Sequence, residues 1–293
     1  MKNSRSRFLD IRGQRLHLRE WGVKGAPRLY VLHGWMDASA SFQFIVDALR
    51  HDWHVIAPDW RGFGQSAWCG GDSYWFPDYF ADLDAILRVV EGEDEAPVRL
   101  VGHSMGGNVA LMYAGIRPAR VRGVVALDAF GLPDRPAAEA PGRYQKWLLE
   151  LTEVPRPRVY PDHAALAARL QQDNSRLSPE RALWLARELA QADGEGFRIA
   201  GDPAHRRVNP ILYRRAEAEA CWRRVTAPVL ALEPEGDRLR ERFGVSDEDH
   251  AAAFACFGTI DVRTVAAAGH NLHHDQPEVL AGIIETFFLS EHV

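Results

Sequence analysis

The stretch VRLVGHSMGGNVALMYAG, from Val98 to Gly115, constrains the fold more than any other part of the chain. Apolar and β-favouring residues lead into Gly102-His103-Ser104-Met105-Gly106, and small residues at helical spacing follow. A strand, a Gly-x-Ser-x-Gly turn and a helix in that order set one serine at the tip of a sharp turn. The backbone there is strained, so only residues without bulky side chains fit beside it, and Gly102 and Gly106 supply that room. The same turn aims the Met105 N–H and the start of the helix at negative charge forming beside the hydroxyl. Ser104 is therefore the candidate nucleophile and Met105 a candidate oxyanion donor.

Around this element strands and helices alternate. RFLDIRGQRLHLREWG has the pattern of a hairpin turning at Gly13-Gln14. Arg28 to Gly34 is a continuous apolar run of the kind found in a strand covered on both faces. It ends in His33-Gly34-Trp35-Met36-Asp37, and in an acyl-transfer site built on Ser104 the loop here supplies the second oxyanion donor, the N–H of Trp35. His33 is read as structural, since that chemistry does not use its side chain. His54 to Ala57 is a further buried strand, Pro77 to Val90 an amphipathic helix, and Val121 to Asp128 the strand after the elbow helix. The alternation predicts a parallel sheet with helices on both faces.

Composition narrows the function classes. The chain has 293 residues, 46% of them hydrophobic, and a net charge of −5, which gives a nucleic-acid partner no electrostatic support. No apolar stretch approaches the length of a membrane span, and the N-terminus has no apolar signal segment. Cys69, Cys221 and Cys256 are far apart, odd in number and without metal-ligand spacing. The expectation is a cytoplasmic protein acting on a small molecule, with no metal or organic cofactor and an oligomeric state the sequence leaves open.

The set HGWMD, DWRGFGQS, GHSMGG and VVALDAFG, in this order, resembles the α/β-hydrolase superfamily, and the pairing of HGW-D with GHSMGG most resembles its serine hydrolase-like branch. The resemblance implies an α/β-hydrolase fold, with a mostly parallel eight-stranded sheet flanked by helices. It extends to the C-terminus but skips a middle segment, and it leaves the substrate open. That segment, 133–226, breaks the alternation with four helical signals: Arg143 to Leu151, Asp162 to Leu170, Ser178-Pro179 onward to Ala192, and Asn209-Pro210 onward to Trp222. It is expected to be a helical cap inserted in a core made of 1–132 and 227–293. The cap holds 16 Arg and Lys against 13 Asp and Glu, a mild surplus that suits either an anionic substrate or a solvated face. Tyr144, Trp147, Trp184, Tyr213 and Trp222 are among its aromatics, most of them expected in packing.

After the segment, Val229 to Leu232 is a strand with Asp237 in the loop beyond it, and the strand from Ile260 delivers His270. Ser104, Asp237, His270 is the nucleophile, acid, base order of the resembled fold. His270 follows Gly269 directly beyond its strand and is taken as the base, with His273 and His274 as loop or pocket-wall residues. Asp237 aligns with the family's acid loop, although Pro234 stands where a glycine is usual. Asp128, at the end of its own strand, is the alternative acid. The resemblance thus implies a serine hydrolase that cleaves a small carboxylic ester through an acyl-enzyme. A thioesterase, lactonase or acyltransferase would share the triad. A carbon-carbon bond hydrolase of the ring-cleavage type is less well matched, because Asn271 replaces the family's aromatic after the base. A non-catalytic ligand-binding protein of the same fold is the rival from another class.

Overall fold

A computed structural model describes residues 1–92, 96–153, 157–236 and 238–290. The apolar runs pair into one eight-stranded sheet. Its strands are β1 (Ser4–Ile11), β2 (Gln14–Gly22), β3 (Arg28–Leu32), β4 (His54–Pro58), β5 (Val98–His103), β6 (Val121–Leu127), β9 (Val229–Pro234) and β10 (Ile260–Val265), in the order β1-β2-β4-β3-β5-β6-β9-β10. Only β1–β2 and β2–β4 pair antiparallel; the rest is parallel. The hairpin turns one residue earlier than expected. Ile11 pairs with Gln14, and Arg12 and Gly13 both have positive φ, the geometry that matches the twist of a two-residue hairpin.

Because side chains alternate across a strand, Val98 and Leu100 of β5 join one apolar layer and Val101 the other. The first layer is covered by α2 (Phe76–Glu91) and α3 (Met105–Ile116), through Leu83, Ile86, Leu87 and Val109. The second is covered by α1 (Gln43–Ala48) and α11 (Pro277–Leu289), through Ile45, Val46, Leu280, Ile284 and Phe288. Burial on both faces explains why the central strands read as unbroken apolar runs rather than alternating ones.

The 133–226 segment contains α4 (Ala140–Leu151), α5 (His163–Asp173), α6 (Pro179–Leu189) and α7 (Arg215–Trp222). The expected cap at Ser178 forms, accepting the Arg181 N–H at 3.3 Å with Pro179 behind it, and Asp162 caps the preceding helix by accepting the Ala165 N–H at 2.7 Å. Two other expectations are corrected. The third helix stops at Leu189, and the chain instead makes a small hairpin, β7 (Ala190–Asp193) with β8 (Gly196–Ile199), around Gly194 at positive φ. The fourth begins only at Arg215, because Asn209 does not cap a helix. Its side chain accepts the Ile211 N–H at 2.8 Å and donates to the Tyr74 carbonyl at 2.6 Å, which ties the segment to the core. Two short helices that the sequence reading did not mark, α8 (Leu239–Arg242) and α9 (Asp247–Phe254), lie between β9 and β10. Among the described residues, no helix is long and apolar enough to cross a membrane.

Candidate active site

Ser104 stands between β5 and α3 with φ 51° and ψ −115°, a conformation that L-residues rarely hold. The glycines around it are required by contact. A Cβ on Gly102 would lie 2.5 Å from the Gly106 carbonyl oxygen, and one on Gly106 would lie 2.2 Å from that of Leu32. The Ser104 N–H donates to the Leu127 carbonyl at 2.9 Å, so the elbow is fastened to the end of β6.

The residue after Leu127 is Asp128, buried and also at positive φ (45°). Its Oδ2 accepts the Leu239 N–H at 3.1 Å and lies 2.6 Å from His270 Nδ1. The single proton that Nδ1 can carry is directed at Asp128, the alternative acid of the sequence reading, whereas Asp237 lies outside the described residues. β6 is the neighbour of β5, so the residue after its end lies beside Ser104.

His270 is also held through its backbone. His103, buried beside the nucleophile, donates from Nε2 to the His270 carbonyl at 2.8 Å, and its ring lies 4.7 Å from that of His270. Burial, then the neighbouring His273 and His270 rings, push His103 well below the ordinary imidazole value, so it stays neutral. Farther behind, the Ser41 hydroxyl lies 2.7 Å from Nε2 of both His273 and His274. With one proton it donates to one ring and accepts from the other. Asp37, His273 and His274 bring three potential metal-ligand atoms within 4.8 Å of one another, but the Ser41 bridge accounts for the set as a hydrogen-bond network behind the base.

His33 has the structural role expected of it. Its Nδ1–H donates to the Gly34 carbonyl at 2.7 Å and its Nε2 accepts the Trp60 N–H at 2.9 Å, which fixes the turn into Trp35. The Trp35 side chain is 53% exposed. Among the described residues, neither the Trp35 N–H nor the Met105 N–H donates to another group, which leaves two backbone donors beside the elbow.

Ser104, His270, Trp35 and Met105 all line one cavity of about 950 Å³. None of the five aromatics singled out in the 133–226 segment lines it. Its aromatic wall comes mainly from the loop before α2 and from α2 itself, with Tyr74, Trp75, Phe76 and Tyr79. The signal for that wall was the SYWFPDY run, which amphipathic periodicity alone assigns to packing.

Comparison with known proteins gives three findings. The family model described as the alpha/beta hydrolase fold matches residues 27–277. A serine hydrolase-like protein of Danio rerio is 30% identical over 289 residues, covering 95% of this chain and 85% of that protein. A 3-hydroxybutyrate-oligomer hydrolase of Cupriavidus necator is 30% identical over 235 residues, covering 74% and 75%. Among solved structures, the thioesterase domain from the curacin biosynthetic pathway superposes with a TM-score of 0.86 at 25% identity, covering 97% of this chain and 99% of that one.

Proposed function

The chain belongs to the α/β-hydrolase family, in its serine hydrolase-like branch, and we propose that it hydrolyses a small carboxylic ester through an acyl-enzyme on Ser104. The observation that carries this reading is the 2.6 Å contact between His270 Nδ1 and the buried Asp128, with His270 lining the same cavity as a serine held at positive φ.

In this reading the steps run from the base to the nucleophile and back. With its Nδ1 proton given to Asp128, His270 presents an unprotonated Nε2 to the cavity, the tautomer a general base needs. It takes the Ser104 proton as the hydroxyl attacks the acyl carbonyl. The N–H groups of Trp35 and Met105 stabilise the oxyanion, and His270 returns the proton to the departing alkoxide. Water activated by the same ring then releases the acid. Every step uses groups of this chain. The 133–226 segment supplies the cap in this reading, since Leu170, Leu177 and Leu185 line the cavity opposite the sheet.

Thioester hydrolysis is the second reading, favoured by the superposition on a thioesterase domain along nearly its whole length. The acyl-enzyme is common to both, so matched oxygen and thiol esters of one acyl group distinguish them by kcat/KM. The test of the shared chemistry is labelling by a fluorophosphonate probe, with the adduct located by mass spectrometry. An adduct on Ser104, absent from Ser104→Ala, is the expected result. A properly folded protein that neither labels nor turns over an activated ester would instead be the non-catalytic binder.

A further inference from the structure

We propose that the cap wall of the cavity is an anion subsite, in which Arg158, Arg206 and Arg207 receive a carboxylate, phosphate or sulfate group carried by the substrate away from its scissile bond. The proposal rests on the serine hydrolase reading and names the class of ester or thioester that the site takes.

Charge in the cavity is unbalanced. Five arginines line it, against the carboxylates of Asp37 and Asp173. Arg169 is already paired with Asp173 at 2.7 Å, and Asp37 accepts the Ala38 N–H and lies 3.7 Å from His273. Arg207 has only Asp72, at 3.8 Å and itself largely exposed, and its Nε is buried with no hydrogen-bond partner. Among the described residues, Arg158 and Arg206 have no carboxylate within ion-pair distance; the Arg158 guanidinium lies over the Tyr160 ring, 5.1 Å from its centroid. In a chain of net charge −5, this is a positive spot confined to the cap side of the site.

The backbone that carries two of the arginines is also held in place. Arg206 ends a short 3-10 turn (Pro203–Arg206) and Arg207 follows it, and the Asp202 side chain caps the turn by accepting the Ala204 N–H at 2.9 Å. Asp202 is buried and its other oxygen accepts the Tyr74 hydroxyl at 2.6 Å, so its charge is committed to the scaffold. His205, immediately before the pair, is stacked between Phe63 and Tyr74 with ring centroids 3.7 and 3.8 Å away. That stack fastens the backbone beside the two guanidiniums to the core. A side cleft that Arg158 and Arg206 line together also includes Met36, the neighbour of Trp35. The side cleft therefore joins two of the three arginines to the loop that carries Trp35.

A guanidinium offers planar paired donors that match the oxygens of carboxylate, phosphate and sulfate groups. Arg158 and Arg206 are exposed at the cavity, while Arg207 is half-buried with its Nε enclosed. Ordinary solvated surface arginines need neither the buried Nε nor the stacked anchor.

The test compares kcat/KM on 4-nitrophenyl valerate with that on mono-4-nitrophenyl glutarate, where the anion is on the acyl side. A second arm compares phenyl valerate with the valerate ester of 4-hydroxybenzoate, where it is on the leaving-group side. Each rate is normalised to hydroxide-catalysed hydrolysis. We expect one anionic ester to exceed its neutral partner by about tenfold or more, a ratio that shrinks with added salt. The double variant Arg206→Ser/Arg207→Ser should bring that ratio close to unity, and Arg206→Lys/Arg207→Lys should restore part of it. Calorimetric binding of glutaramate against valeramide to the Ser104→Ala protein reads the subsite without chemistry, and glutaramate should bind more tightly. If neutral esters are hydrolysed but no ratio favours the anion, and the two amides bind alike, the subsite is refuted and the hydrolase stands. If no ester is turned over yet glutaramate still binds preferentially and depends on the arginines, the hydrolase reading fails and the subsite stands.

Discussion

Asp128 Oδ2 lies 2.6 Å from His270 Nδ1 although the two residues are 142 positions apart in sequence. The contact bridges two strands, because β6 ends at Asp128 in mid-sheet while His270 returns from beyond the edge strand β10. Asp128→Asn should leave the side chain's volume and much of its burial intact while favouring the wrong imidazole tautomer. The expected loss in kcat approaches ~10⁴-fold, the magnitude measured for the equivalent change in a serine protease. Asp237→Asn should keep most of its turnover, since the Nδ1 proton is already committed. The pair is measured on a short activated ester alongside thermal melting. Full activity in Asp128→Asn would return the acid to Asp237.

Strain at Ser104 separates stability from activity. Ala at φ 51° is as strained as Ser, whereas Gly is not. Both Ser104→Ala and Ser104→Gly should lose covalent labelling and nearly all turnover. The glycine variant should be the more stable of the two by ~1 kcal/mol, read from chemical denaturation, unless the extra unfolded-state freedom of glycine cancels the relief. Equal stabilities would show that the backbone relaxes around the side chain.

Trp35 is proposed to act through its backbone N–H while its indole is exposed. Trp35→Ala should therefore change kcat by no more than about threefold, with any larger effect confined to KM. A kcat loss on the order of a hundredfold would mean that the indole, or a loop conformation it maintains, takes part in the chemistry.

Acid should unfold the protein earlier than its carboxylates alone would. His33, His103, His205 and His274 are all held below the ordinary imidazole value, with burial the leading cause, His205 at about 3. Below the ordinary value of 6.5 the unfolded chain binds protons that the folded one refuses, so stability falls as pH falls, over the window reaching down to each lowered native value. The slope is up to about 1.4 kcal/mol per pH unit for each such group. Asp59, held at about 2 by His17 despite its burial, adds to the same trend at lower pH: its stabilisation is fully present above the ordinary carboxylate value and is lost as pH falls toward the native one. Denaturation curves at pH 7 and pH 5 should show the drop, and His205→Gln should reduce its slope by about one proton. Stability unchanged between those pH values would contradict the neutral, buried assignment.

The elbow was legible in sequence because its geometry tolerates so few residues: Gly102 and Gly106 are dictated by carbonyl oxygens 2.2 to 2.5 Å from where a Cβ would be. His33 was legible for a related reason, as a strand-end ring with backbone partners within reach. The acid was not. Asp128 and Asp237 both follow apolar strands that are neighbours in the sheet, and local sequence does not carry which of the two carboxylates meets the imidazole. The β7–β8 hairpin was missed although Asp193-Gly194-Glu195-Gly196 is turn chemistry, because the helical pattern before it ran on without a stop. The cavity's cationic wall escaped for a different reason: a count of charges in the 133–226 segment averages over all its faces, whereas Arg206 and Arg207 matter through the stacked residue that precedes them.

Strand order has one more consequence. The proposed nucleophile and acid directly follow β5 and β6, in the interior of the sheet, but the proposed base is delivered by β10, an edge strand with one paired side and mostly exposed residues. Edge elements open at lower free energy than the sheet interior. The proposed chemistry therefore depends on an edge of the sheet, and as denaturant rises the molecule should fall silent as a catalyst while most of its backbone hydrogen bonds are still intact.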